Sequence, residues 1–264
     1  IIITNAQDVE ITNSHDTAFG GSQVFGDLTV IAKEGADAKD IDLSDNANAI
    51  HGNIYFDGAN VSINNTDETI LAGTASGNLT VTSKGAISQS DALDITGTST
   101  FTAFDGSDPQ NITLTEEDNA FTGNIIITNA KDVQLTNSLD TTFGGSQVFG
   151  DLTVIANDGT DAKDIDLSDN ANAIHGSINF DGADVSIYNT EETLLAGGSA
   201  TGNLTIKSEE GINSDENNIT AGGDIEIIAE LGDIELNSEN LTAGAKIEIT
   251  AEDGNLTLGD GNTE

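Results

Sequence analysis

The chain repeats itself, and the size of the repeats limits what it can fold into. Residues 1–73 return as residues 125–197 at an offset of 124 with no gap; 14 of the 73 positions differ and 59 are identical. A shorter repeat follows. Ile219-Thr-Ala-Gly-Gly-Asp-Ile-Glu-Ile returns 22 residues later as Leu241-Thr-Ala-Gly-Ala-Lys-Ile-Glu-Ile, and Asp233-Ile-Glu-Leu returns as Asn255-Leu-Thr-Leu. A weaker echo links Phe121-Thr-Gly-Asn to Ile174-His-Gly-Ser. A period near 20 residues is the size of one turn of a β-solenoid.

Apolar–polar–apolar triplets run through the whole chain: Val9-Glu-Ile11, Leu28-Thr-Val30, Ile41-Asp-Leu43, Val61-Ser-Ile63, Leu79-Thr-Val81, Ile112-Thr-Leu114, Ile225-Glu-Ile227 and Ile247-Glu-Ile249. Successive side chains of a strand point to opposite faces, so each triplet sends two aliphatic groups inward and one polar group out. Gly, Asn, Asp and Ser lie between the triplets, where turns are made. No stretch keeps a 3.6-residue period. The expectation is an all-β parallel β-helix of about 12 coils of roughly 22 residues, with essentially no helix. It divides into a first long unit (1–124), a second, partly diverged unit (125–218) and short-period coils (219–264), all in one continuous solenoid. The differences between the long copies fit this reading. Ile11 against Leu135 and Ile70 against Leu194 are mild and are assigned inward; His15 against Leu139, Tyr55 against Asn179 and Asn64 against Tyr188 are drastic and are assigned outward. The Phe residues, among them Phe25 and Phe149, are expected to fill wide corners of the core. Residues 96–111 read as the longest irregular stretch.

Charge then excludes functions. There are 46 acidic residues and seven basic ones, all Lys, for a formal charge of −39. Phosphate neutralisation needs clustered Lys and Arg, so nucleic acid is not a partner, and neither is an anionic lipid surface. No apolar run approaches the roughly 20 residues of a membrane helix, so direct membrane insertion is not expected. The absence of Cys removes disulfide and thiolate chemistry. High charge with few aromatics is also a signature of disorder, but the strict patterning of Ile, Leu, Val and Phe argues for a folded β protein.

The triplet-and-glycine style resembles the filamentous haemagglutinin family of large secreted adhesins. The segments that carry the resemblance are Gly77-Asn-Leu-Thr-Val-Thr-Ser-Lys-Gly-Ala-Ile-Ser-Gln, Asn119-Ala-Phe-Thr-Gly, Leu241-Thr-Ala-Gly-Ala-Lys-Ile-Glu-Ile-Thr-Ala and Asn255-Leu-Thr-Leu-Gly-Asp-Gly. The resemblance covers nearly the whole chain. It implies a right-handed coil and a bacterial surface or exported fibre, extracellular or cell-surface in location. The family's N-terminal secretion domain is not recognisable here, which fits an interior slice of a longer chain. The expected function is therefore a structural segment of an extracellular fibre or adhesin stalk, acting in surface attachment or cohesion between cells or with matrix. Its partners are then more of the same repeat chain, end to end along the solenoid axis, and surface glycans. Ile1 opens the chain where Met would, and Ile1-Ile-Ile-Thr-Asn equals the internal Ile125-Ile-Ile-Thr-Asn. From this we expect growth along the axis, as thin fibres.

The alternative class is a carbohydrate-binding or polysaccharide-degrading β-helix. Carboxylate pairs cannot identify it, because close pairs arise everywhere in so acidic a chain. Asn65-Thr-Asp67 matches one short polygalacturonase motif, but its copy is Asn189-Thr-Glu191, no Gly-His-Gly accompanies it, and Arg is absent. No enzymatic activity is expected. His15 becomes Leu139, whereas His51 and His175 persist and read as turn residues before a corner glycine. Ca²⁺ is the one cofactor the sequence suggests. Asp40, Asp42 and Asp45 recur as Asp164, Asp166 and Asp169 on acidic turns, and hard carboxylate oxygens on turns suit Ca²⁺. The spacing matches neither an EF-hand nor a glycine-rich nonapeptide, and the plain reading is a solvated acidic turn. The sequons Asn78-Leu-Thr80 and Asn203-Leu-Thr205 read as turn asparagines entering strands and leave glycosylation open. Ice binding on Thr-X-Thr rows is a minor alternative, because Thr80-Val-Thr82 and Thr113-Leu-Thr115 look scattered.

Overall fold

A computed structural model of the chain describes residues 1–215, 217–237 and 241–259. The chain divides into two compact units, Ile1–Asn137 and Ser138–Glu264. Each is a β-solenoid of stacked parallel strands, with about twelve turns between them and no helix among the described residues.

In the first unit one ladder runs through Val9–Asn13, Leu28–Glu34, Asn53–Gly58, Thr69–Ala75, Ile87–Ile95, Ile112–Leu114 and Val133–Asn137. Six pairing steps thus lead from a strand to its own copy 124 residues on. A second ladder runs through Thr17–Ala18, Ile41–Leu43, Val61–Asn65, Leu79–Ser83, Ser99–Ala103 and Ile125–Asn129. Two ladders also run through the second unit. One ladder includes Leu152–Ala156, Ser177–Gly182 and Thr193–Ala200. The other includes Thr141–Thr142, Ile165–Leu167, Val185–Asn189, Leu204–Ser208, Ile225–Ala229 and Ile247–Ala251.

Most triplets do what alternation requires, although Val9, Ile11 and Ile249 are only half-buried and Ile247 is exposed. Val61 and Ile63 are buried with Ser62 between them half-exposed, and Leu79 and Val81 are buried with Thr80 exposed. Each buried aliphatic side chain contributes about 1.5–3 kcal/mol, and stacking identical positions coil on coil keeps the core continuous. Phe56, Phe101, Phe121, Phe143 and Phe180 lie fully inside. Phe25 and Phe149 do not: they are 47% and 43% exposed. They follow the inward Val24 and Ile-paired Val148, so alternation turns the rings out. Ile70 and Leu194 also differ from expectation. They are half-exposed, because Thr69 and Thr193 take the inward places and their hydroxyls bond Ser83 and Ser208 Oγ at 2.8 and 3.1 Å.

Coils are less uniform than 22 residues. Hairpin-free steps range from 17 residues (Ile54 to Leu71) to 22 (Ile234 to Leu256). The long steps carry inserted hairpins. Leu28 to Ile54 contains the Lys33–Ala38 hairpin, Ile87 to Ile112 contains the Phe104–Pro109 bridge, and Leu152 to Ile178 contains the Asn157–Ala162 bridge. The stretch 96–111 is therefore not irregular; it holds the strand Ser99–Ala103 and a tight hairpin. Each hairpin tip has a glycine at positive φ, Gly35 (65°), Gly106 (104°) and Gly159 (84°), where a side chain would be strained.

Corners interrupt strand pairing, and buried asparagines replace the lost bonds. Asn65 Oδ1 accepts the Ile50 N–H and its Nδ2 donates to the carbonyls of Ile50 and Glu68, all at 2.9 Å. Asn189 treats Ile174 the same way in the second unit, at 2.8 and 2.9 Å. Asn137 holds Phe121 likewise, which is why Phe121 and Ile174 echo one another in sequence. A buried backbone group without a partner is costly, so the amide acts as a spare peptide unit at each corner.

Candidate functional site

The outer surface carries the remaining chemistry, and much of it is committed to the backbone. Asp40 stands just before Ile41–Leu43. Its Oδ1 accepts the N–H and Nδ2–H of Asn60 one coil on, both at 3.0 Å, while its own N–H goes to Asp16 Oδ1 at 3.1 Å. Asn60 Oδ1 then accepts from Asn78 N–H (3.0 Å) and Asn78 Oδ1 from Thr98 N–H (2.9 Å). In the second unit Asp140, Asp164, Asp184, Asn203 and Asp224 each accept the N–H of the next member, ending on Lys246. The sequon residues Asn78 and Asn203 are thus rungs of this ladder, as a turn asparagine entering a strand should be.

The other Ca²⁺ candidates shape their own turns. Asp42 Oδ1 accepts the Ser44 N–H (2.9 Å) and hydroxyl (2.5 Å), and Asp166 does the same with Ser168. Asp45 and Asp169 accept the N–H of Ala47 and Ala171, each at 2.9 Å. One oxygen of every candidate therefore holds a backbone donor. Among the described residues no three His, Asp or Glu side chains come together in a group that could hold a metal ion.

A repeated arrangement that sequence reading missed lies beside two short pairings, Gln23–Val24 with Ala49–Ile50 and Gln147–Val148 with Ala173–Ile174. The Phe25 ring stacks on His51 with centroids 5.6 Å apart and planes 5° apart; Phe149 stacks on His175 at 5.3 Å and 10°. His51 Nδ1 lies 2.9 Å from Asp67 Oδ2, and His175 Nδ1 lies 3.6 Å from Glu191 Oε2. Ring, imidazole and carboxylate thus stand on successive coils. The signal was present: Val24-Phe25-Gly26 aligns with Ile50-His51-Gly52, since Val24 pairs with Ile50. Both glycines are required, because a Cβ on Gly52 would sit 2.4 Å from the Gly26 carbonyl carbon and one on Gly26 would sit 2.6 Å from the Gln7 carbonyl oxygen. Asn65-Thr-Asp67, the polygalacturonase-like segment, is spent here as a corner strut and a histidine partner.

Charge is partly offset locally. Glu226 and Glu248 pair across adjacent coils as their 22-residue spacing predicts, and Lys246 bonds Glu248 beside them. Lys207 bonds Glu230 at 2.6 Å, which pushes the amine up from its ordinary range, and lies 5.5 Å from the centre of the Tyr188 ring. Lys163 bonds Asp158 at 2.6 Å across a hairpin; this bond and the Asp161 and Thr160 N–H groups lower Asp158 to about 2. The outward Thr rows are less scattered than the sequence suggested. Thr80 pairs with Thr100, and Thr82 with Thr102, on neighbouring coils. A shallow groove of about 580 Å³ in the second unit is lined by Glu192, Glu210, Asp233, Glu235 and the exposed Leu231.

A family model described as repeats of unknown function (DUF5649) matches residues 58–128 and 182–247, just over half of the chain. The chain belongs to this family. Comparison with curated proteins and with solved structures returns no match. The two DUF5649 matches begin 124 residues apart, at Gly58 and Gly182, which end the equivalent strands Asn53–Gly58 and Ser177–Gly182. Both glycines sit where a Cβ would press within 2.8 Å of the Ile41 or Ile165 side chain. Each DUF5649 match falls inside one of the two units.

Proposed function

We propose that the chain is a structural segment of an extracellular bacterial fibre or adhesin stalk, acting in surface attachment or cohesion. The observation that carries this reading is the relation between repeat and coil. Six pairing steps lead from Val9–Asn13 to its copy Val133–Asn137, so a 124-residue duplication adds whole coils and leaves inward and outward faces unchanged. A chain under that rule can lengthen by tandem duplication without redesigning its core. The charged outer surface favours growth along the stack over lateral aggregation, and more of the same repeat chain is the natural axial partner. The resemblance to filamentous haemagglutinin-like adhesins points the same way. Immunogold electron microscopy of intact cells tests the reading: label should lie on thin material outside the envelope. Label confined to the cell interior would overturn it.

A second reading, contact with surface glycans, is favoured by the exposed Phe25 and Phe149 rings. An aromatic ring with hydrogen-bonding groups beside it suits the apolar and hydroxyl faces of a sugar. Glycan-array binding that is lost in Phe25→Ala and Phe149→Ala together supports it; no binding by the intact chain removes it.

A further inference from the structure

The hairpin after Ser99–Ala103 has no counterpart in the second unit, where Ala229 leads to Ile234 with four residues between. It closes with the Gln110 N–H on the Ala103 carbonyl at 2.8 Å. Asp105 Oδ1 organises the tip by accepting the N–H groups of Ser107 (2.7 Å) and Asp108 (2.8 Å). The Asp108 carbonyl oxygen receives two donors, the Asp105 N–H and Gln110 Nε2–H, each at 3.2 Å. The Gln110 amide is itself anchored on Asp105 Oδ2 at 3.2 Å. Asp108 is exposed, and the residue after it is the only proline of the chain.

We propose that the Asp108–Pro109 peptide bond is a self-cleavage site, activated by the hairpin that carries it. The Asp108 carboxylic acid attacks its own main-chain carbonyl carbon, and an Oδ–C bond closes a five-membered anhydride. The C–N bond to Pro109 breaks, and the acid's proton ends on the proline nitrogen, which leaves as a secondary amine. One water opens the anhydride, so the products are a chain ending at Asp108 and a chain beginning at Pro109. Nothing is oxidised or reduced, and water is the only co-reactant. The two donors face the oxygen that gains negative charge during attack, the place where fixed hydrogen bonds accelerate acyl chemistry.

The neighbouring charges favour the reaction in mild acid. Asp105 is held below the usual carboxylate range by the N–H groups of Asp108 and Ser107, which favours the ionised form that anchors the Gln110 amide. The other charged groups on the strands packed beside the hairpin are Lys84, which follows the Ser83 carbonyl that binds Phe104 N–H, and Lys131 with Asp132, where Lys131 N–H binds the Gln110 carbonyl. Cleavage leaves the stack joined. Ser99–Ala103 pairs with Ile125–Asn129, and Ile87–Ile95 pairs with Ile112–Leu114 and Ala120–Phe121, across the break.

The test is intact-mass measurement of the full chain held in mild acid, at about pH 5, with and without denaturing urea. We expect fragments 1–108 and 109–264, still co-eluting in native chromatography, and native cleavage about tenfold faster than in urea, as two modest hydrogen bonds to the transition state allow. Gln110→Ala should bring the native rate towards the unfolded one, and Pro109→Ala or Asp108→Asn should stop cleavage. A native rate equal to or below that in urea overturns the proposal, and that comparison needs no variant to fold.

Discussion

Replacing Asn65 with alanine should destabilise the first unit more than the small size of the side chain suggests. The side chain is fully buried and bonds only backbone: the Ile50 N–H, the Ile50 carbonyl and the Glu68 carbonyl. Alanine leaves the Ile50 N–H orphaned inside, at about 1–3 kcal/mol, and removes a donor from two carbonyls, for a total near 3 kcal/mol. Urea denaturation followed by circular dichroism gives the global change, and hydrogen exchange at the Ile50 amide gives the local one, which is needed because stacked coils can unfold in parts. Asn189→Ala should cost about the same, since Asn189 makes the same pair of bonds to the Ile174 backbone. Asn65→Asp separates acceptor from donor. Burial raises the folded-state pKa of the new carboxyl above its unfolded value, so folding is least penalised at low pH and stability falls as pH rises through the raised value. A loss below about 1 kcal/mol for Asn65→Ala, where one orphaned buried group alone should cost that much, would refute the role given to these amides.

Gly73→Ala should destabilise strongly, by roughly 3 kcal/mol or more, because a Cβ would lie 1.9 Å from the Phe56 carbonyl oxygen at a φ of 133°. Gly35→Ala, with open space around it, should cost only about 1 kcal/mol for its φ; urea midpoints compare the two, and equal losses contradict the close-approach argument. Asp158 should titrate near 2 by NMR. Its depressed value stabilises the fold above the ordinary carboxylate range and that contribution is lost as pH falls through about 2; Lys163→Ala should move the midpoint up, since the Lys163 bond is the largest cause. The melting temperature should rise with NaCl, since paired acids such as Glu226 and Glu248 repel by roughly 0.8 kcal/mol at 5 Å in water and salt screens them. A further rise with millimolar Ca²⁺ at matched ionic strength would point to bound Ca²⁺; none would leave screening alone.

The inward face was legible because alternation is a local rule: Val61, Ile63, Leu79 and Val81 could be placed without knowing their neighbours, and all four are buried. What failed were features set by the next coil. Thr69 is inside because Ser83 waits there for its hydroxyl, and this put Ile70 outside. Phe25 is outside because Val24 is inside, and its partner His51 lies 26 residues away. The Thr80–Thr100 and Thr82–Thr102 rows exist only once the register is known. The fading of the long repeat after Gly197 also has a local cause. The copy gains one residue there, and the strand absorbs it as a bulge between the Leu195 and Gly198 pairings, with Gly197 at a φ of 111°. The six aspartates proposed for Ca²⁺ were found by type and recurrence, which say nothing of the backbone N–H that one oxygen of each accepts.

The register of neighbouring coils is the claim on which the rest depends, and a chain without cysteine allows it to be tested by disulfide formation. Ser62 stands directly opposite Thr80, both facing outward, whereas Thr82 stands opposite Asn64. Directly opposed Cα atoms about 5 Å apart suit a disulfide, and diagonal ones beyond about 7 Å do not. Oxidation of Ser62→Cys with Thr80→Cys should give an intramolecular crosslink in nearly every molecule, while Ser62→Cys with Thr82→Cys should stay reduced. Equal crosslinking of the two pairs, or a preference for the diagonal one, would contradict the stacking described here.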